Sequence, residues 1–201
     1  MAEALRRAVL GFRPHTYWTA VVALAGELSA PQVLDRRRVV FATGGDRFVY
    51  HQVAEMDPAA AQSRIAEVRA ASGAKAAEGI AQAVAALNQA DLKVSLAVVP
   101  TGRARAARSL AEIVKSHALI HAAEGDFYRD IVADACATLG LDVSRLVERD
   151  LLLETSRTLG TSATALETHL NAMGRVYGPP WSEDQKLATL AAWTGLADLT
   201  L

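Results

Sequence analysis

Two histidines stand one helical turn apart in HALIHAAEGDFYRD, residues 117 to 130. On a helix, His117, His121, Glu124 and Tyr128 fall at i, i+4, i+7 and i+11 and share one face. Two imidazoles so spaced can chelate a metal ion, and a carboxylate one turn further on can be the third donor. Such a set suits Zn²⁺, Fe²⁺ or Mn²⁺ better than Mg²⁺, which prefers oxygen. The same residues can work as an acid–base pair, because histidine titrates near neutrality. The plainer explanation is structural: the histidines line a helix–sheet interface or bond backbone carbonyls, and Glu124 is solvated.

Arginines offer a second kind of chemistry. In DRRRVV, Arg36 and Arg38 lie on one face of a strand and Arg37 on the other. In TGRARAAR, Arg103, Arg105 and Arg108 follow a strand end. Guanidinium groups so placed can clamp phosphates. The competing explanation is a solvated surface, and overall charge favours it: 21 Lys and Arg against 22 Asp and Glu give a net charge of −1. That balance argues against a strongly basic nucleic-acid binder but leaves room for a local basic patch. Trp18, Trp181 and Trp193 read as core or interface anchors.

The chain has 201 residues, 51% of them apolar, which suits one globular domain over residues 1–201. Its lone cysteine, Cys136, excludes an internal disulfide and points to a reducing, cytoplasmic setting. The first residues lack an apolar core and a cleavage site, so no signal peptide is expected. No run reaches the roughly 20 apolar residues of a membrane span.

Several elements must position these groups. Residues 7–12 and 17–25 read as one long interrupted strand, QVLDRRRVVFA as a second and RFVYHQVAE as a third, with a hairpin turn at Thr43 to Asp46. The period then changes. Asp57-Pro58 opens a helix running to about Asn88, and Gly73 and Gly79 within it suggest a close packing partner. LKVSLAVVP is a strand buried on both faces and parallel to the first. SLAE, residues 109 to 112, is a capping box. The following helix pattern has a break near Gly125 and stops at Gly140. LDVSRLVER is a fifth strand. Helices over 150–159, 162–173 and from Ser182 to about Trp193 complete the chain. The order β-β-β-α-β-α-β-α predicts an α/β fold: a mixed five-stranded sheet, three antiparallel strands then parallel ones, with helices on both faces.

That layout resembles the RNase H-like fold, and most of all the RuvC-type Holliday junction resolvases. Gly11-Phe12-Arg13-Pro14-His15, followed at matching spacing by Thr19-Ala20-Val21-Val22, is similar to the family's first strand, Gly-Ile-Asp-Pro-Gly and then Thr-Gly. SEDQKLATLAAW is similar to its C-terminal helix, with Glu183 and Asp184 where the last catalytic acids stand. The resemblance implies catalysis by carboxylates converging on two divalent metals, with nucleic acid as partner. Here Arg13 replaces the first aspartate, and the fourth strand ends AVVPTG without a glutamate. A guanidinium repels Mg²⁺. His15, beside the usual site, can substitute for a carboxylate or simply belong to a turn. Glu183 and Asp184 also suit the first turn of a helix, where negative charge complements the dipole.

Two functions follow as expectations. One is a non-catalytic module that binds nucleic acid or protein, with a homodimer as one form it can take and Arg13, Arg103, Arg105 and Arg108 as nucleic-acid contacts. The other is a divalent-metal hydrolase or nuclease with a rebuilt site that draws on His15, His117, His121, Glu124 and Asp184. Two empty acid positions favour the first.

Overall fold

The computed structural model describes residues 6–103 and 106–199. β1 (Arg6–Pro14), β2 (Trp18–Glu27) and β3 (Ala30–Val40) form an antiparallel meander. β4 (Leu92–Val98) and β5 (Asp142–Ser144) join in parallel, giving the order β3-β2-β1-β4-β5. β1 therefore sits at the centre. The carboxyl ends of β1, β3, β4 and β5 share one edge of the sheet, and the β1–β2 turn lies on that edge too.

Period-two alternation gives the sheet two apolar faces. Ala8, Leu10 and Phe12 point into one core, with Val21 and Ala23 of β2 beside them. This face packs on α2 (Pro58–Gln89) and α4 (His117–Thr138). Val9, Ala20, Val22 and Leu24 point into the other core, against α5 (Leu151–Thr158), α6 (Ala163–Tyr177) and α7 (Glu183–Asp198). Both α2 and α7 begin at well-made caps. The Asp57 carboxylate accepts from the Ala59 and Ala60 N–H groups, with Pro58 in the first turn. Ser182 and Gln185 form a capping box.

α7 is buried on every side from Ala188 to Ala197, which explains its lack of a polar stripe. It lies directly on β1. A Cβ on Gly11 would run into the Ala188 carbonyl oxygen and the Ala192 nitrogen, and one on Gly195 would come within 2.6 Å of Val98 Cγ2. The two glycines thus let the central strands and the last helix approach to backbone contact. On the opposite face Gly79 abuts Val39 of β3, the close partner its sequence position suggested, whereas Gly73 faces open space.

Several boundaries differ from the sequence reading. Residues 7–12 and 17–25 are two strands. Pro14 ends β1, the His15 N–H donates to the Trp18 carbonyl at 2.8 Å, and the chain reverses so that Pro14 pairs with Thr19. RFVYHQVAE is helical: a 3-10 turn over Gly44–Phe48 leads into α1 (Val49–Gln52). Val49 and Val53, four apart, are its buried residues, and that spacing matches a helix better than the alternation of a strand. The three-stranded meander is therefore real, but its members are shifted along the chain. SLAE forms the capping box of a single turn, α3 (Leu110–Ile113). The helix break falls at residues 114–116, and α4 runs through Gly125 without interruption. β5 is three residues long, extended only by a bridge between Thr101 and Val147. α6 reaches Tyr177, where Gly178 at φ 69° ends it, and α7 continues to Asp198. Among the described residues no helix is long and apolar enough to cross a membrane.

Candidate functional site

The carboxyl edge of the sheet collects most of the residues with chemical potential. Arg13, the last side chain of β1 on the α7 face, reaches Glu148 with Nη1 to Oε2 at 2.8 Å. Arg129 of α4 approaches the same oxygen at 3.6 Å. Glu148 is fixed by its own backbone, whose N–H donates to the Thr101 carbonyl at 2.9 Å just beyond β4. Both side chains of the closer pair are about four-fifths buried, at 19% and 22% exposed. Solvent screens such a pair less than a surface one. Beside them β4 ends at Val98 and the chain continues through Val99 and Pro100, all three buried and none a carboxylate.

One residue past Pro14, His15 turns toward the start of α7. Its Nε2 lies 2.8 Å from Asp184 Oδ1, and its ring stacks on Trp18 at 4.2 Å with an 8° tilt. The contacts continue along the edge. The Arg38 guanidinium sits 4.0 Å from a Trp18 ring centroid and bonds the Tyr17 hydroxyl at 3.2 Å. Arg47 covers Tyr17 at 3.9 Å, and Phe48 meets His51 edge-on. Among the described residues neither Arg38 nor Arg47 has a carboxylate within ion-pair distance. Glu183, next to Asp184, is exposed and lines a shallow hollow with Leu152 and Lys186, away from His15.

The histidine cluster occupies the α4 side of the same edge. His117 and His121 meet as their spacing predicts, Nε2 to Nε2 at 2.9 Å, and both are exposed. Glu124 lies one turn further down, where the helix is covered. It is fully buried and accepts from His51, at 3.3 Å from the backbone N–H and 2.9 Å from Nδ1. Its second oxygen, Oε2, is buried without a hydrogen-bond partner among the described residues. The third member beside the two histidines is thus His51 of α1 instead of Glu124. The ligand atoms of His51, His117 and His121 all lie within 4.8 Å of one another, close enough to share one ion. Tyr128, the last residue of the stripe, is buried and donates to the Asp46 carbonyl. Burial, then the negative charge of Glu124 and Asp46, raises its hydroxyl pKa well above the ordinary phenol range.

Sequence reasoning missed His51, because its segment reads as a strand that would point the ring elsewhere. The only signal was the four-residue spacing of Val49 and Val53. The five residues of the rebuilt-hydrolase reading fall into two groups. His15 and Asp184 meet on the α7 side, while His117, His121 and Glu124 gather on the α4 side with His51.

The arginine stretches have divided roles. Arg36 donates to the carbonyls of Tyr177, Gly178, Pro179 and Pro180 and holds that loop against β3. Arg37 pairs with Asp35 at 2.6 Å. Arg103 and Arg108 are exposed and line an open cleft of about 680 Å³ between the post-β4 loop and α4. Arg69 and Arg145 line it too, paired with Asp134 and Asp130. Arg105 lies outside the described residues.

No protein-family model matches this chain, and no curated protein matches it. Solved structures do. The RuvC of Thermus thermophilus in complex with a Holliday junction substrate aligns with a TM-score of 0.51 at 13% identity, covering 96% of this chain and 95% of that one. A second Thermus thermophilus RuvC structure aligns with the same TM-score and coverage at 14% identity. At such identity the likeness speaks for the fold alone, and it agrees with the strand order and layers described above. This chain has the mixed five-stranded RNase H-like α/β fold in the arrangement seen in those RuvC structures.

Proposed function

We propose that this chain is a RuvC-like domain that binds nucleic acid along the carboxyl edge of its sheet and does not cleave it by two-cation chemistry. The observation that carries the reading is the Arg13–Glu148 pair at the end of β1, with Arg129 behind it. Two hard cations need several converging carboxylate oxygens. This edge offers a guanidinium at the strand end, an apolar β4 terminus, one carboxylate already neutralised by arginines, and Asp184 committed to His15. These residues do not fit a pair of divalent cations, and no step is assigned to such a pair.

Binding is supported by arginines at this edge, Arg38 exposed and Arg47 half-buried. Arg38 and Arg47, interleaved with Trp18 and Tyr17, present guanidinium groups without carboxylate partners among the described residues. Arg103 and Arg108 extend the positive edge into the neighbouring cleft. Guanidinium groups so placed suit phosphate oxygens. The chain's near-zero net charge of −1 does not oppose this, because it leaves room for a local basic patch. The fold's counterpart in Thermus thermophilus is seen holding a Holliday junction, so branched DNA is the first ligand to try.

The test follows a labelled four-way junction, a duplex and single strands of DNA and RNA by fluorescence anisotropy at rising salt, with Mg²⁺ or Mn²⁺ added in parallel and products resolved on a gel. Affinity that weakens as salt rises, with strands left intact, is the expected result. Absence of salt-dependent affinity for every ligand overturns the binding half. Cleavage that a chelator abolishes overturns the non-cleaving half.

A further inference from the structure

We propose that His51, His117 and His121 bind one borderline-soft divalent ion, Zn²⁺ foremost, and that Glu124 orients His51 toward it. This goes beyond nucleic-acid binding and uses none of the arginines that carry that reading.

Four observations converge. First, the ligand atoms of the three histidines lie within 4.8 Å of one another. A tetrahedral ion with Zn–N bonds of about 2.0–2.1 Å sets its nitrogens roughly 3.4 Å apart. The His117–His121 pair, at 2.9 Å, must open slightly. Both exposed side chains can do this by small rotamer shifts. Second, the rings converge without stacking: centroid distances are 4.3 to 5.1 Å and the planes are steeply inclined, at 64° to 83°. These edge-to-face contacts hold the three rings around one small volume, in keeping with the closeness of their ligand atoms.

Third, the carboxylate of Glu124 accepts from His51 Nδ1, which leaves Nε2 as the lone-pair donor on the far side of the ring. A carboxylate behind a metal-bound imidazole is the usual way such a ligand is fixed in tautomer and orientation. Fourth, Glu124 is fully buried, with Oε2 unpartnered among the described residues. A carboxylate removed from water needs a compensating positive centre. No arginine or lysine pairs with it among the described residues. A divalent ion beyond His51 would supply that charge through the imidazole.

The donor chemistry selects the ion. Three neutral imidazoles favour Zn²⁺, Cu²⁺, Ni²⁺ or Co²⁺ over Mg²⁺ and Ca²⁺. The exposed positions of His117 and His121 leave the fourth coordination place to water or an incoming anion, so the site is of the open kind. The ion would also tie α1 to the first turns of α4, two elements joined across the carboxyl edge by Glu124 and His51.

Metal-stripped protein titrated with Co²⁺, followed by visible absorption, and then with Zn²⁺ against a chromophoric chelator, tests the assignment. The expected result is one ion per chain, an intense four-coordinate Co²⁺ spectrum and displacement of Co²⁺ by Zn²⁺. The double variant His117→Ala, His121→Ala loses the spectrum, whereas His169→Ala, whose ring lies against Trp193, keeps it. Glu124→Gln binds 10- to 100-fold more weakly. If the Gln variant misfolds by circular dichroism, His51→Asn at the half-buried ring position reads the same arm, and it also loses the spectrum. Undiminished binding by the double variant, less than one ion per chain, or a weak six-coordinate spectrum overturns the site. Equal affinity of a folded Glu124→Gln overturns the orienting role.

Discussion

Glu148 meets two guanidinium groups in a largely dry place, and that makes Arg13 sensitive to charge reversal. Arg13→Asp sets two carboxylates together and is expected to cost about 3 kcal/mol in urea unfolding, as breaking a buried pair does. Adding Glu148→Arg to that variant restores more than half of the loss; a double variant no better than the single would show that the pair is uncoupled. Cys136 gives a second residue-scale prediction. It is buried, and burial pushes its thiol pKa up to about 12 from 9.0. The neutral thiol thus favours the folded state fully below pH 9, and that contribution is lost as pH rises from 9 toward about 12. Alkylation at pH 8 should be negligible until denaturant unfolds the chain, and fast labelling of the native protein would contradict the burial. At this scale the histidine pair was legible from its i, i+4 spacing. Glu124 was legible as a member of the stripe but not in its role. Position on a helix face does not say where cover begins: the stripe is exposed at His117 and His121 and fully buried at Glu124 and Tyr128.

Elements differ in how tightly they constrain their glycines. Gly11 on β1 meets α7 backbone, so Gly11→Ala is expected to cost about 3 kcal/mol or to prevent folding, since neither the Ala188 carbonyl nor the Ala192 nitrogen can step aside. Gly73 in α2 faces open space, so Gly73→Ala should gain about 1 kcal/mol through helix propensity. Paired thermal melts check both, and a neutral Gly11→Ala would contradict the close approach of helix and strand. The caps at Asp57, Ser109 and Ser182 were readable because each uses a short local code of side chain and backbone. RFVYHQVAE was misread because a short apolar run satisfies both helix and strand periods, and only its contact with α4 and α2 decides. His51 was lost with that segment. Arg36 was read as a phosphate clamp or surface group, yet it binds four carbonyls of a loop some 140 positions away, a partner no local pattern reveals.

Across the whole molecule, the sheet order places the ends of β1, β3 and β4, the β1–β2 turn and the starts of α4 and α7 along one edge. The alternation of strand and helix patterns made this layout readable, even with one predicted strand split and another replaced by a helix. The distribution of charge along the edge was not readable from a composition with net charge −1. It depends on which arginines find carboxylates after folding: Arg13 and Arg37 do, while Arg38 and Arg47 do not among the described residues. The most direct measurement is the salt dependence of affinity for a four-way DNA junction, wild type against Arg38→Ala, Arg47→Ala. Each phosphate contact contributes about 0.9 to the slope of log affinity against log salt on duplex arms. The double variant should bind more weakly with a slope shallower by about 1.8. An unchanged affinity and slope would contradict binding through this edge.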